Sequence, residues 1–146
     1  GTASVLVYIR NKGVVLREGR DVSVFATGIM VAEALEAARL LEAEGISAEI
    51  INIHTLKPLD RNLVLHSAKK TGAVVTAENH SVLNALGSAV AEVLAEECPV
   101  PLTRVGVQDH FGEVGSTEFL QRKYGLTAQD IVQGVHSSTQ KREAWK

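Results

Sequence analysis

Residues 21 to 60 read DVSVFATGIMVAEALEAARLLEAEGISAEIINIHTLKPLD, a stretch in which strand-like and helix-like patterns alternate. It opens with an apolar run that stops at Gly28, which predicts a short buried strand. Beyond that glycine the apolar residues recur at helical spacing until Gly45, which is predicted to end a helix as its C-cap. Residues 47–53 then predict a second strand, rich in β-branched residues. A strand, a helix and a strand joined by short connections form a βαβ unit, so the sheet is predicted to be mainly parallel.

The same alternation continues to the end of the chain. Pro58 excludes a helix at its position, whereas Asp60 is a good N-cap and Gly72 a good stop for the helix between them. Further elements are predicted as strands over 73–77 and 102–107, a helix over 85–97, and two helices capped by Ser116 and Thr127. Residues 11–21 read as a polar linker or hairpin, and 137–146 as a polar tail. The fold class is therefore α/β, with a doubly wound sheet and helices on both faces.

Composition excludes several functional classes. The chain of 146 residues fits one domain, and its net charge of -2 gives no electrostatic case for nucleic acid or an anionic membrane. Only 4% of the residues are aromatic, so platforms for stacked bases are not expected. No apolar run approaches the ~20 residues that span a bilayer, and the start of the sequence has no signal-peptide pattern. The lone Cys98 favours a reducing compartment, so the predicted location is the cytoplasm.

Cofactor and metal motifs are not found in the sequence. The turn after the first core strand has one glycine where a dinucleotide fingerprint needs three, so Gly28 more simply makes the strand-to-helix turn. The five histidines include no pair at helical i, i+4 spacing and have no cysteine cluster beside them. Cys98 precedes a proline and has no nearby base, so it is not predicted to be a nucleophile.

Glu78-Asn79-His80 is the most notable polar cluster, because it directly follows an apolar strand-like run. Glu78 and His80 could act as an acid/base pair at a strand end. Alternatively, the Glu78 carboxylate could accept loop amides while Asn79 and His80 brace it. The residues alone weigh these two interpretations evenly.

Two other groups of polar residues are weaker candidates. Arg10 and Lys12 could bind a phosphate, but an exposed linker with solvated charges is the commoner case. Asp109, His110 and Glu113 lie in a glycine-bearing loop, where polar residues are usually solvated.

Several motifs together resemble the C-terminal domain of the transketolase family of thiamine diphosphate enzymes. They are Lys57-Pro58-Leu59-Asp60, Glu78-Asn79-His80, Leu86-Gly87-Ser88-Ala89-Val90 and Tyr124-Gly125-Leu126-Thr127. The resemblance covers about residues 5–135 in order. It implies a three-layer α/β/α domain with a mixed sheet of about five strands over 21–136, preceded in 1–20 by the end of a pyrimidine-binding domain and a linker.

The resemblance also implies an accessory role. The parent enzyme would move a two-carbon ketol unit between sugar phosphates through a thiamine-bound carbanion, with Mg or Ca holding the diphosphate. The family's Gly-Asp-Gly metal–diphosphate motif has no match here, so the cofactor would be bound by other domains, in a homodimer or a partner subunit. The isolated chain is therefore predicted to be inactive and to contribute to a dimer interface.

Individual residues take roles from the same resemblance. Arg10 matches an arginine that binds the sugar phosphate in transketolases, although Gly13 replaces the second arginine of that motif. His80 is a second candidate for substrate contact, whereas Glu78, Asn79 and His110 are predicted to organise loops and the interface. Deoxyxylulose phosphate synthase and the beta subunit of 2-oxo-acid dehydrogenases end in the same fold and remain alternatives. A free-standing dimerisation or small-anion-binding module is another.

Overall fold

The computed structural model describes residues 12–79, 85–106 and 126–146. These residues form a five-stranded sheet and four helices. The strands are β1 (Val14–Arg17), β2 (Val22–Ala26), β3 (Ala48–Asn52), β4 (Val74–Ala77) and β5 (Leu102–Val105), and the helices are α1 (Met30–Ala43), α2 (Arg61–Thr71), α3 (Ala85–Glu97) and α4 (Ala128–Ala144). The predicted order of strands and helices from residue 21 onward is confirmed for the described residues. The helix predicted to begin at Ser116 lies outside them.

The sheet is mixed, with the strand order β1-β3-β2-β4-β5. β2 pairs in parallel with β3 and β4, and β4 pairs in parallel with β5, whereas β1 is antiparallel to β3. β2 lies in the middle and all of its residues are buried. Its sequence is accordingly a continuous apolar run broken only by Ser23, as expected for a parallel strand covered on both faces.

Helices cover the sheet on both faces. One hydrophobic cluster joins α1 and α4 to inward residues of the strands, such as Val24, Ile50 and Val75. The other joins α2 and α3 to the alternate residues, such as Phe25 and Ile51. Neighbouring residues of one strand therefore serve opposite clusters, because side chains alternate across a sheet. The three-layer α/β/α architecture is confirmed.

The predicted ends of α2 and the start of α4 are also confirmed. The Asp60 carboxylate accepts a hydrogen bond from the Leu63 amide at 3.2 Å, so Asp60 caps the first turn of α2. Gly72 ends that helix with φ of 73°, a left-handed conformation that glycine adopts without steric cost. Thr127 is the N-cap of α4, and the Asp130 carboxylate accepts its amide at 3.2 Å.

The segment predicted as a linker or hairpin contains an edge strand instead. β1 pairs with β3 on one side, and its residues Val14, Val15 and Leu16 are 39–43% exposed. Among the described residues, no helix fully buries either face of β1. Its sequence, VVLR, also lacks the apolar–polar alternation by which a half-buried strand is recognised.

The residues predicted as a polar tail are mostly helical, because α4 continues to Ala144. Ser138 is buried and its hydroxyl donates to the carbonyl of Val74 at 2.8 Å. Arg142 donates to the carbonyls of Asp21 and Thr71, the latter at 2.8 Å. Polar side chains thus hold the last turns of α4 in place by bonding to backbone carbonyls of β4, of the residue before β2 and of the end of α2.

Candidate functional site

The carboxyl ends of β2 and β4 mark the point where the chain connections diverge. From β2 the chain passes through α1 to β3 on one side, and from β4 it passes through α3 to β5 on the other. Open α/β sheets bind ligands in the crevice at such a switch point. The described residues at this edge are Thr27 and Gly28 after β2, and Glu78 and Asn79 after β4.

Glu78 is a buried carboxylate that connects the end of β4 to α3 and to β5. The residue is 2% exposed. One carboxylate oxygen accepts the Leu86 amide at 3.0 Å, the other accepts the Gly87 amide at 2.8 Å, and the Glu78 amide donates to the Val105 carbonyl at 3.0 Å. A carboxylate at a helix N-terminus satisfies unpaired amides and complements the helix dipole. Both oxygens of Glu78 thus serve the first turn of α3.

The first turn of α3 lies close against the sheet. A Cβ atom on Gly87 would lie 2.9 Å from Cδ of Arg104 and 3.2 Å from Oγ1 of Thr76. The absence of a side chain at position 87 therefore lets α3 approach β4 and β5, and this approach brings its amides within reach of Glu78. The Thr76 hydroxyl is buried and has no hydrogen-bond partner among the described residues.

Asn79 lies over the turn between β2 and α1. A Cβ atom on Gly28 would lie 3.1 Å from Oδ1 of Asn79, and Gly28 has φ of 58°, in the left-handed region. The Thr27 hydroxyl is buried without a partner in the described part of the chain. Glu78 and Asn79 thus connect the end of β4 to both neighbouring helix starts.

The structure brings together two of the five predicted site residues, Glu78 and Asn79. Arg10, His80 and His110 lie outside the described residues, as do Asp109 and Glu113. His80 is the other half of the possible acid/base pair, so both interpretations of the triplet stay predictions. The bonding of both Glu78 oxygens to α3 amides is the geometry that the structural interpretation requires.

Sequence reasoning missed a second polar cluster, centred on Glu49 of β3. Glu49 is 1% exposed and accepts hydrogen bonds from Ser67 at 2.6 Å, from the Gly19 amide at 3.3 Å and from Lys70. Ser67 also lies 2.6 Å from the hydroxyl of Ser23, which lies 2.8 Å from that of Thr71. The sequence feature that could have revealed this cluster is Glu49 itself, the one acidic residue within the predicted strand 47–53.

The environment of Glu49 shifts its pKa in two directions. Burial is the largest influence and raises the pKa, because it disfavours the charged form. Hydrogen bonds from Lys70, Ser67 and the Gly19 amide act the other way and together outweigh burial, so the pKa of Glu49 lies below its ordinary value. This cluster connects α2 to β2 and β3, and both oxygens of the Glu49 carboxylate accept hydrogen bonds within it.

Neither polar cluster has the ligands that a metal–diphosphate cofactor needs. Among residues 12–79, 85–106 and 126–146, no group of three or more His, Cys, Asp or Glu side chains could hold a metal ion. No helix within those ranges is long and apolar enough to cross a membrane.

Comparison with known proteins identifies the fold. The family model "Transketolase, C-terminal domain" matches residues 11–131. The chain belongs to this family. The mixed sheet and its helical layers are similar to those of a solved split-gene transketolase, an inactive β4 tetramer, which superimposes with a TM-score of 0.84 at 56% identity over 89% of the chain.

Two curated relatives show how the transketolase-like chain compares with complete proteins. It is 61% identical over 131 residues, 90% of its length, to the 6-deoxy-6-sulfo-D-fructose transketolase subunit SqwH of Clostridium sp. (strain MSTE9). It is 44% identical over 123 residues to 1-deoxy-D-xylulose-5-phosphate synthase of Heliobacterium modesticaldum. The chain spans 41% of the first relative and 19% of the second, and 43% of the solved transketolase chain.

Proposed function

We propose that the chain is the accessory C-terminal part of a transketolase that transfers a two-carbon ketol unit between sugar phosphates. The observation that carries this proposal is the 61% identity to a transketolase subunit along 90% of the chain. The 44% identity to deoxyxylulose phosphate synthase is lower and covers less of the chain, 82%. The five-stranded domain would support the catalytic domains without supplying the reacting groups.

The cofactor would be thiamine diphosphate, held with Mg or Ca by domains other than this one. The family match supports this placement, because it covers the C-terminal domain, residues 11–131. The chain would act in a homodimer or with a partner subunit that carries the diphosphate and pyrimidine domains. The split-gene relative with its β4 assembly supports a multi-chain enzyme. We place this enzyme in carbohydrate metabolism in the cytoplasm.

Within this role, Glu78 and Asn79 would organise the loop between β4 and α3. The supporting geometry is the pair of hydrogen bonds that the Leu86 and Gly87 amides of α3 donate to the Glu78 carboxylate, together with the proximity of the Asn79 side chain to Gly28. His110 is proposed to act likewise at the interface, and Arg10 and His80 to contact the substrate. The roles of His110, Arg10 and His80 are proposed from the sequence alone.

The donor sugar has two candidates. A ketose phosphate follows from the family as a whole. A 6-deoxy-6-sulfo ketose is the second candidate, because the relative that is 61% identical is named for this substrate. Both donors carry an anionic group at the end of the sugar away from the reacting carbons, so one enzyme could bind them at the same place.

The test compares the 146-residue chain with a reconstituted enzyme. The chain alone, supplied with thiamine diphosphate, Mg²⁺, a ketose phosphate and an aldose phosphate, should give no ketol transfer. The same chain combined with the polypeptide that contains the diphosphate and pyrimidine domains should give transfer, measured as the new ketose phosphate. A parallel assay with 6-deoxy-6-sulfofructose as donor decides between the two substrates.

Four outcomes would contradict the proposal. Turnover by the chain alone would place catalytic groups within it. Formation of 1-deoxy-D-xylulose 5-phosphate by the reconstituted enzyme would favour the synthase alternative, and activity on a 2-oxo acid dehydrogenase substrate would favour the beta-subunit alternative. Stabilisation of the isolated chain by sugar phosphates, without any complex forming, would favour a free-standing anion-binding module.

A further inference from the structure

The last turn of α4 meets the end of α2 and the start of β2 at one edge of the sheet. The Arg142 guanidinium forms this junction, since it donates to the carbonyls of Asp21 and Thr71. The aliphatic part of Arg142 also packs on Gly72, where a Cβ atom would lie 3.2 Å from its Cδ. Residues distant in sequence thus become neighbours here.

Cationic residues are concentrated at this junction, which we call the basic edge. It consists of the cationic residues in or beside the three segments that meet, namely Arg20, Lys69, Lys70, Lys141, Arg142 and Lys146. Three acidic residues lie among them, namely Asp21, Glu49 and Glu143. The basic edge therefore carries net positive charge, although the whole chain carries -2.

Helix dipoles account for only part of this arrangement. Lys69 and Lys70 lie in the last turn of α2, and Lys141 and Arg142 in the last turn of α4. Cations there interact favourably with the negative end of a helix dipole. That effect explains each pair separately. It does not explain Arg20, which precedes a strand, nor why both helix ends converge on one edge.

The cations of the basic edge differ in how they are held. Lys70 pairs with the buried Glu49, Arg142 bonds to backbone carbonyls, and Lys146 lies 3.2 Å from Glu143. In contrast, the exposed side chains of Arg20, Lys69 and Lys141 have no ion-pair partner among the residues that the structure describes. The basic edge is thus a fixed scaffold that presents three cations to solvent.

An exposed aromatic side chain accompanies these cations. Trp145 is the C-cap residue of α4 and is 64% exposed. It follows Arg142 by three positions, so both lie on the same side of the helix. Trp and Arg are the residue types most enriched where protein interfaces carry their binding energy. An exposed tryptophan beside unpaired cations is typical of a docking surface.

We propose that the basic edge docks an acidic segment of a partner polypeptide, with Trp145 as its apolar anchor. The choice of a protein as the occupant rests on the proposed function, a multi-chain enzyme. The supporting observation is charge: three exposed cations, which have no ion-pair partner in the described part of the chain, complement a short acidic segment. Nucleic acid or an anionic membrane would also attract cations, but the negative charge of the remaining surface disfavours binding to such extended polyanions.

Trp145 provides the measurement, because it is the only tryptophan of the chain. We expect deca-glutamate to change its fluorescence on titration, and deca-lysine to leave it unchanged. Raising the salt from about 0.1 M to about 1 M should abolish the response, since the screening length falls from about 10 Å to about 3 Å. Lys69→Glu and Lys141→Glu should each weaken binding about threefold, and together about tenfold or more.

Lys57→Glu is the matched control, because it makes the same change of net charge at an exposed residue outside the basic edge. It should leave the affinity for deca-glutamate within about twofold of the unmodified chain. No fluorescence response to deca-glutamate would overturn the proposal. So would an equal loss with Lys57→Glu, or a response confined to inorganic polyphosphate or phosphatidylserine vesicles.

The titration uses neither cofactor, substrate nor second chain, so its result is independent of the catalytic assay. Binding of deca-glutamate together with an inactive reconstituted enzyme would refute the proposed function alone. An active reconstituted enzyme without binding of deca-glutamate would refute the docking surface alone.

Discussion

Glu78 is the residue whose interpretation the structure sharpens most. As an acid/base catalyst it would need an oxygen free to reach a substrate, whereas both of its oxygens accept amides from the first turn of α3. A general acid or base can also accept structural hydrogen bonds. Substitution of a buried carboxylate that caps a helix, however, is expected first to lower the stability of the fold. Stability and turnover therefore separate the two interpretations.

Glu78→Ala should lower the free energy of unfolding by about 2–5 kcal/mol, because two buried amides lose their acceptor. Glu78→Gln keeps one acceptor oxygen and should cost less, about 1–2 kcal/mol. Urea denaturation measures both, and Glu92→Ala, at an exposed position of α3, is the control, with an expected change within about 0.5 kcal/mol. A Glu78→Gln chain of unchanged stability that reconstitutes an inactive enzyme would restore the catalytic interpretation.

Glu49 gives stability a predictable dependence on pH. Its pKa in the folded chain is lowered from the ordinary value of 4.5, so the folded state holds its proton less tightly than the unfolded state does. The stabilisation is therefore complete above that ordinary value and is lost as pH falls through the lower folded pKa. Lys70, Ser67 and the Gly19 amide are the groups that supply it.

Comparison with Glu49→Gln isolates this effect, since the other carboxylates contribute equally to both chains. At pH 7 the substitution should lower the free energy of unfolding by about 1–3 kcal/mol, because charged hydrogen bonds are replaced by neutral ones. The difference between the two chains should shrink as the pH is lowered through the acid range. A difference that stays constant at every pH would show that folding does not change the pKa of Glu49, which would contradict the prediction.

Among the strands and helices, the sequence predicted correctly those with a regular pattern of apolar residues and clear signals at their ends. β2 is a continuous apolar run because helices cover both of its faces, and α2 is bounded by a capping Asp60 and by Gly72. Residues 11–21 were predicted as a linker or hairpin because they are mostly polar and include two glycines. The three apolar residues of β1 in this segment are exposed on the edge of the sheet. Its strand conformation depends on pairing with β3, a contact between distant residues that no local pattern encodes.

The end of α4 shows the same limit for a helix. Residues 137–146 are polar, so an amphipathic pattern does not extend through them. What keeps them helical is specific bonding: Ser138 to the Val74 carbonyl, and Arg142 to the carbonyls of Asp21 and Thr71. The candidate site divides in the same way. The Glu78-Asn79 pair could be found from its place after a strand, but the choice of bonding partners depended on how α3 packs.

At the scale of the whole molecule, the central sheet makes the two hydrophobic clusters dependent on each other. Phe25 and Val24 are neighbours in β2 but belong to opposite clusters, and the same holds for Ile51 and Ile50 in β3. Loss of packing on either face therefore removes support from strands that the other face needs. We expect the chain to unfold as one cooperative unit.

Three identical substitutions test this expectation. Leu41→Ala on α1 and Leu86→Ala on α3 each remove a fully buried side chain, one from each cluster, and should each cost about 2–5 kcal/mol. Leu35→Ala on α1 is the control, because that leucine is 38% exposed, and it should cost less than about 1 kcal/mol. In urea, far-UV circular dichroism and the fluorescence of Trp145 should give coincident single transitions with an unchanged slope in every variant. If Leu86→Ala instead produced a separate early transition in circular dichroism while the Trp145 transition stayed in place, the two faces would unfold independently, because Trp145 ends the helix that packs on the other face.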